Sequence, residues 1–224
     1  MTLSDLICAI EPMLSAEVQA ELFRRRRVRL LTSENSPIAL LEGFRVFLHV
    51  VPPGANAGFK SWSEMVEAAQ AFEPGQGDAW ISGLNVDGFQ VSGPEGTKLK
   101  THVQYYCSGS LEYCQAYPIR KNTELSLGYL PIDVMTGFIG FSLGRALGFL
   151  EQSKIAGPHF AAVTVIGVQG SVVQANPRTG IPNTIDRNEL WLKPMHLAGP
   201  GEAFDHAVSE IADILYAAGG VKRR

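Results

Sequence analysis

Positive charge is not in surplus, cysteine is scarce, and no long hydrophobic run is free of charge. Lys plus Arg number 19 against 22 Asp plus Glu, a formal net charge of −3. A whole-domain electrostatic grip on nucleic acid needs the opposite bias, so any such contact has to come from a local patch. Three cysteines (Cys8, Cys107 and Cys114) do not make a disulfide framework in a chain of 224 residues, and a reducing cytoplasm is the simplest setting. No charged segment with an apolar run opens the sequence, so no secretory signal is read. Residues 130–150 are mostly apolar, but Asp133 and Arg145 interrupt them. A spanning helix wants about 20 residues nearly free of charge, so a buried helix of a soluble protein is expected there. G-x-x-x-x-G-K-[ST] and a Rossmann glycine fingerprint are also missing, so no nucleotide device is recognised. His49, His102, His159, His196 and His206 lack paired-ligand spacing, and no metal or cofactor is expected.

What is present suits a packed domain. The chain is 46% hydrophobic and 18% charged, which excludes disorder as its default state. Ser15 to about Leu31 reads as a helix with Ser15 as N-cap, followed by turn residues 32–37. Phe44–Val51 alternates as a strand, with Phe44, Val46, Leu48 and Val50 on one face and Arg45, Phe47, His49 and Val51 on the other. A short helix is expected over Ser61–Phe72, then extended chain over 79–91 around the turn Asp87–Gly88, and a loop at 93–97. Thr101–Cys107 and Ser110–Tyr117 read as a hairpin about Ser108–Gly109; a two-residue loop there sets Cys114 opposite Val103. Pro131 suits the first turn of a helix reaching about Gln152. His159–Val168 is a buried strand, Asn176–Asn183 a loop, Glu189–Leu197 an edge strand broken by Pro194, and Ala203–Ala218 a helix with Phe204, Val208, Ile211, Ile214 and Leu215 in one stripe. The order is not a strict βαβ alternation. It predicts an α+β single domain with a mostly antiparallel mixed sheet and about four helices packed on it. The divisions are an Arg-rich helical segment at 1–33, the α+β domain at 34–219 and a basic tail at 220–224.

Arg24, Arg25, Arg26, Arg27 and Arg29 crowd less than two helical turns and must surround most of the helix. Arginine forks match phosphate oxygens in pairs, which makes these residues the nucleic-acid-binding candidates. The plainer alternative is a solvated helix docking on an acidic neighbour. Gly140-Phe-Ser142-Leu-Gly144 matches the G-x-S-x-G nucleophile elbow, with Asp186 and His206 following in hydrolase order. Ser142 would attack a carbonyl, His206 take its proton and Asp186 orient the imidazole. The elbow needs a preceding strand, however, and this stretch reads as helix. Gly137, Gly140, Gly144 and Gly148 are better read as a small-residue stripe for close packing. Around Asn85-Val-Asp87-Gly88-Phe89, the favoured reading is a turn with Leu84, Val86 and Phe89 packed.

These segments together resemble the region that follows the DNA-binding domain in bacterial proteins of the Schlafen/AlbA type. Arg45-Val-Phe-Leu48-His49-Val-Val-Pro52 is similar to that family's R-x-x-L-H-x-x-P strand. Asn85-Val-Asp87-Gly88-Phe89 matches N-x-D-G-F, and His102 to Glu112 resembles the Y-V-Q-L-F-R-N-G-x-I-E hairpin. Gly167-Val168-Gln169-Gly170 matches G-V-x-G, Ile185 to Pro194 is close to I-D-R-x-x-L-x-L-P, and Leu215 to Gly219 looks like W-N-A-x-G. The likeness runs collinearly over residues 20–219, with Cys107–Ser108 and Leu215–Tyr216 departing from it. The domain for which the family is named lies outside it. The resemblance therefore implies a fold and a cytoplasmic, bacterial setting, with no catalytic residues to carry over. The expected function is a non-enzymatic accessory or sensor module. It would bind nucleic acid or a partner protein through the basic helix and a sheet face bearing His49, His102 and Tyr106. The alternatives are a serine hydrolase at Ser142 and a homo-oligomeric assembly protein joined along the glycine face or an open strand edge.

Overall fold

A computed structural model describes residues 14–52, 61–71, 80–119, 128–173, 184–197, 202–221 and 223. Cys8, the loop expected at 176–183, and Lys222 and Arg224 of the basic tail lie outside them. The helices are α1 (Ala16–Thr32), α2 (Trp62–Gln70), α3 (Ile132–Gln152) and α4 (Glu202–Ala218). The strands are β1 (Phe44–Val51), β2 (Ile81–Asn85), β3 (Gly88–Glu95), β4 (Lys98–Tyr106), β5 (Leu111–Tyr117), β6 (Tyr129–Leu130), β7 (His159–Ile166), β8 (Val172–Val173), β9 (Glu189–Trp191) and β10 (Met195–Leu197).

Eight strands form one antiparallel sheet in the order β10-β7-β1-β5-β4-β3-β2, with β9 also on β7. β6 and β8 make a separate parallel pair. The fold is α+β. Because strand side chains alternate, register assigns each residue a face. Leu48, Tyr113, Val103 and Val91 lie in one cross-strand row. They belong to the large core under α2, α3 and α4. The next row, on the opposite face, is His49, Glu112, Gln104 and Gln90. That second face carries α1, whose Val28 and Leu31 pack on Phe47, Cys114 and Ile166. The main core therefore lies on one side of the sheet and a small apolar cluster beside a polar row on the other.

Helix ends follow their caps. Ser15 accepts from the Val18 amide and Ser61 from the Glu64 amide, each satisfying an amide that the helix leaves unpaired. α3 is long and apolar enough to cross a membrane by length and composition. Its Met135, Ile139, Leu143, Phe149 and Leu150 are nevertheless part of the core of this fold.

Several local expectations are corrected. The β4–β5 turn holds three residues, with Gly109 at φ 84° and the Tyr106 amide donating to the Ser110 carbonyl. Register moves by one residue, so Cys114 faces His102 and Val103 faces Tyr113. Residues 93–95 belong to β3, and a register shift between Gly93 and Pro94 accommodates the proline. Leu84 and Val86 are exposed, and only Phe89 of that trio is packed. Ile214 also turns outward from the α4 stripe. Of the α3 glycines, Gly140 and Gly144 face Val208 and Phe204 of α4, whereas Gly137 faces open space.

Candidate functional site

α1 is where the sequence clusters its arginines, five of them within six positions, and its contact stripe has an unusual composition. Ala20, Arg24, Val28 and Leu31 are its buried residues, spaced so that one helix face meets the sheet across β7 and β1. Arg24 sits inside that stripe at 2% exposure. It donates from Nη1 to the carbonyl oxygens of Val163 and Leu192, and it pairs with Glu21. Burial lowers its pKa, and the charge of Glu21 offsets part of that. Arg24 and Arg25 both lie over the Trp191 ring, at 5.0 and 5.4 Å.

One turn further, Arg27 reaches the sheet. Its Nε and Nη2 donate to the two oxygens of Glu112, at 2.9 and 3.0 Å. Glu112 is wholly buried in β5, and its register partner His49 lies 3.1 Å away through Nε2. An ionised carboxylate only accepts, so His49 Nε2 carries the hydrogen. Burial alone would raise the Glu112 pKa. Hydrogen bonds from His49 and Arg27 outweigh it and hold the carboxyl at about 2. Arg27 shows the counterpart, with burial opposing its charge and Glu112 raising its pKa above the ordinary value.

The polar row continues across the sheet. His102 Nε2 lies 4.0 Å from Glu112, and its Nδ1 lies 3.1 Å from the Ser92 hydroxyl. Burial lowers the His102 pKa despite the Glu112 charge. Gln104 donates to the Phe89 and Tyr105 carbonyls and accepts from Asn85 at 2.7 Å. Phe23 of α1 meets His49 and Tyr106 edge-on, and Arg27 lies over the Tyr106 ring at 5.3 Å. The Tyr106 pKa is raised by burial and by the charge of Glu112.

The structure thus brings His49, His102 and Tyr106 onto the sheet face that carries α1, with His49 and Tyr106 in contact with its side chains. The residue that joins them, Glu112, escaped the sequence reading. Its signal was a lone carboxylate between Leu111 and Tyr113 on a strand facing His49. Ser92, His102 and Glu112 place a hydroxyl, an imidazole and a carboxylate in series. The last gap is 4.0 Å, though, and the carboxylate is held more closely by Arg27 and His49. Chemically, the arrangement fastens α1 to the sheet.

The five arginines do not act alike. Arg24 and Arg27 turn inward, whereas Arg25, Arg26 and Arg29 lie on the exposed face. Arg25 is bonded there to Glu21. The residues of the alternative triad are not brought together. Ser142 is buried within α3, away from any strand-to-helix turn. His206 lines an open groove with Lys193, His196 and Glu210. Asp186, hydrogen-bonded to Arg187, lines a different groove with Trp191. Among the described residues, no group of three His, Cys, Asp or Glu side chains is placed to hold a metal ion. No family model matches the chain, and no curated protein or solved structure does either.

Proposed function

We propose that the chain is a non-enzymatic binding module that meets nucleic acid through the outer face of α1. One observation carries this reading: α1 is clamped to the sheet from within by Arg24 and Arg27 while Arg25, Arg26 and Arg29 point outward. A rigidly seated helix presents charge without the cost of ordering it on binding. The net charge of −3 makes this a local patch and limits its strength.

The test is fluorescence anisotropy of labelled duplex DNA and RNA across a salt series. Three phosphate contacts predict a slope of log affinity against log salt near about −2.7, where five would give about −4.5. Replacing Arg25, Arg26 and Arg29 by alanine should abolish binding while leaving the thermal transition nearly unchanged. Absence of binding at low salt overturns the nucleic-acid reading and leaves an acidic protein surface as the occupant of that face.

A further inference from the structure

The two ends of the sheet are finished differently. At one end the ladder on β7 is divided between two three-residue strands, β9 and β10, with Pro194 between them. Short strands and proline are common devices that blunt a sheet edge. At the other end, among the described residues, β2 bonds to β3 alone. Its sequence, Ile81-Ser-Gly-Leu-Asn85, holds no charge, no proline and no bulge.

The free side of β2 follows from its register. Asn85 pairs with Gly88 across the two-residue turn Val86–Asp87, which makes that pair hydrogen-bonded. Alternation then bonds Gly83 and Ile81 to β3 and turns the N–H and C=O groups of Ser82 and Leu84 outward. Exposed apolar side chains flank this edge on both faces, Leu84 on the α2 side and Ile81 on the other. Trp62, Ile81, Leu84 and Val86 are four of the ten exposed large apolar side chains among the described residues. Beside Leu84 runs a groove of about 270 Å³ lined by α2 residues including Trp62 and Val66.

We infer that β2 is the seam of a homodimer, pairing antiparallel with β2 of a second copy about a two-fold axis at Gly83. A second copy of the same strand is a self-complementary partner, and this edge carries no charge, proline or bulge to oppose it. With the axis at Gly83, the outward groups of Ser82 meet those of Leu84 of the other copy. Every donor then faces an acceptor, twice over. The two Gly83 residues fall in the non-hydrogen-bonded position, where backbones approach most closely. A Cβ on Gly83 would meet nothing within 4 Å, so the position is open. A strand without charge sets no like charges opposite each other, and Glu67 is the sole charged residue lining the adjoining groove. Such an isologous contact closes on itself and stops at two copies. The surface lies on β2, so this inference stands independently of the α1 reading.

Sedimentation velocity on the full chain, from low to high micromolar concentration, provides the test. Wild type should shift from monomer to dimer. Leu84→Lys places charge on the edge, and Ser82→Pro removes an outward amide without touching the β3 ladder. Each should weaken association at least about tenfold while circular dichroism stays unchanged. Hydrogen exchange at the Ser82 and Leu84 amides should slow with concentration, and that at Gly83 should not. A chain that stays monomeric throughout, or a dimer that survives both substitutions without protecting these amides, overturns the inference.

Discussion

Glu112 is a carboxylate with no solvent exposure, held by an arginine from a helix and a histidine from the neighbouring strand. Removing one member of such a pair leaves the other buried and uncompensated, at a cost of about 3–5 kcal/mol. Arg27→Ala and Glu112→Gln should each lower the urea midpoint accordingly. An apolar double replacement, Arg27→Met with Glu112→Leu, should recover most of the loss. The pH dependence has a definite sign. The folded carboxyl lies at about 2 against an ordinary 4.5, so its contribution is complete above about pH 4.5. It is lost as pH falls toward 2, and a difference of that size corresponds to about 3 kcal/mol. Glu112→Gln should flatten the acid limb of the stability profile, which denaturant titrations at several pH values will show. Alternation along β1 and β4 made His49 and His102 legible as sheet-face groups. Their link to Glu112 and Arg27 was not legible, because it joins residues 63 and 85 positions apart.

At the scale of elements, the α3 glycines separate propensity from packing. An alanine Cβ at Gly137 meets nothing within 4 Å, and at Gly140 it meets Val208 at 3.5 Å, an ordinary contact. Neither glycine is required by crowding. Gly137→Ala and Gly140→Ala should each add up to about 1 kcal/mol of stability and raise the melting temperature by roughly 2–4 °C. Gly88→Ala should do the reverse. Gly88 has φ 155°, and a Cβ there would lie 1.9 Å from the Tyr105 carbonyl oxygen. Strand β1 and helices α1 to α3 were readable because caps, prolines and hydrophobic periods mark them locally. The β4–β5 register was not readable. Ser108–Gly109 suits a two-residue turn as well as a three-residue turn with glycine at positive φ, and the choice moves every pairing by one.

For the whole molecule, the class of fold followed from element order, but the strand order did not. β1 lies between β5 and β7, so its two ladders join segments far apart in the chain. Only the packed sheet reveals which of its faces each helix covers. The expectation that all five arginines supply binding charge shows what this hides: a basic helix in sequence becomes two internal fasteners and three surface groups once its seat is known.

The same seat supplies an optical handle. Trp191 lies beneath two guanidinium groups and packs on the small cluster under α1, while Trp62 and Trp80 lie elsewhere in the fold. With Trp62 and Trp80 replaced by phenylalanine, Trp191 becomes a single emitter that reports whether the helix is seated. In the Arg27→Ala background its fluorescence should shift red and become quenchable by iodide at lower urea than the loss of β-sheet ellipticity. Coincident transitions would mean that helix and sheet come apart as one cooperative unit.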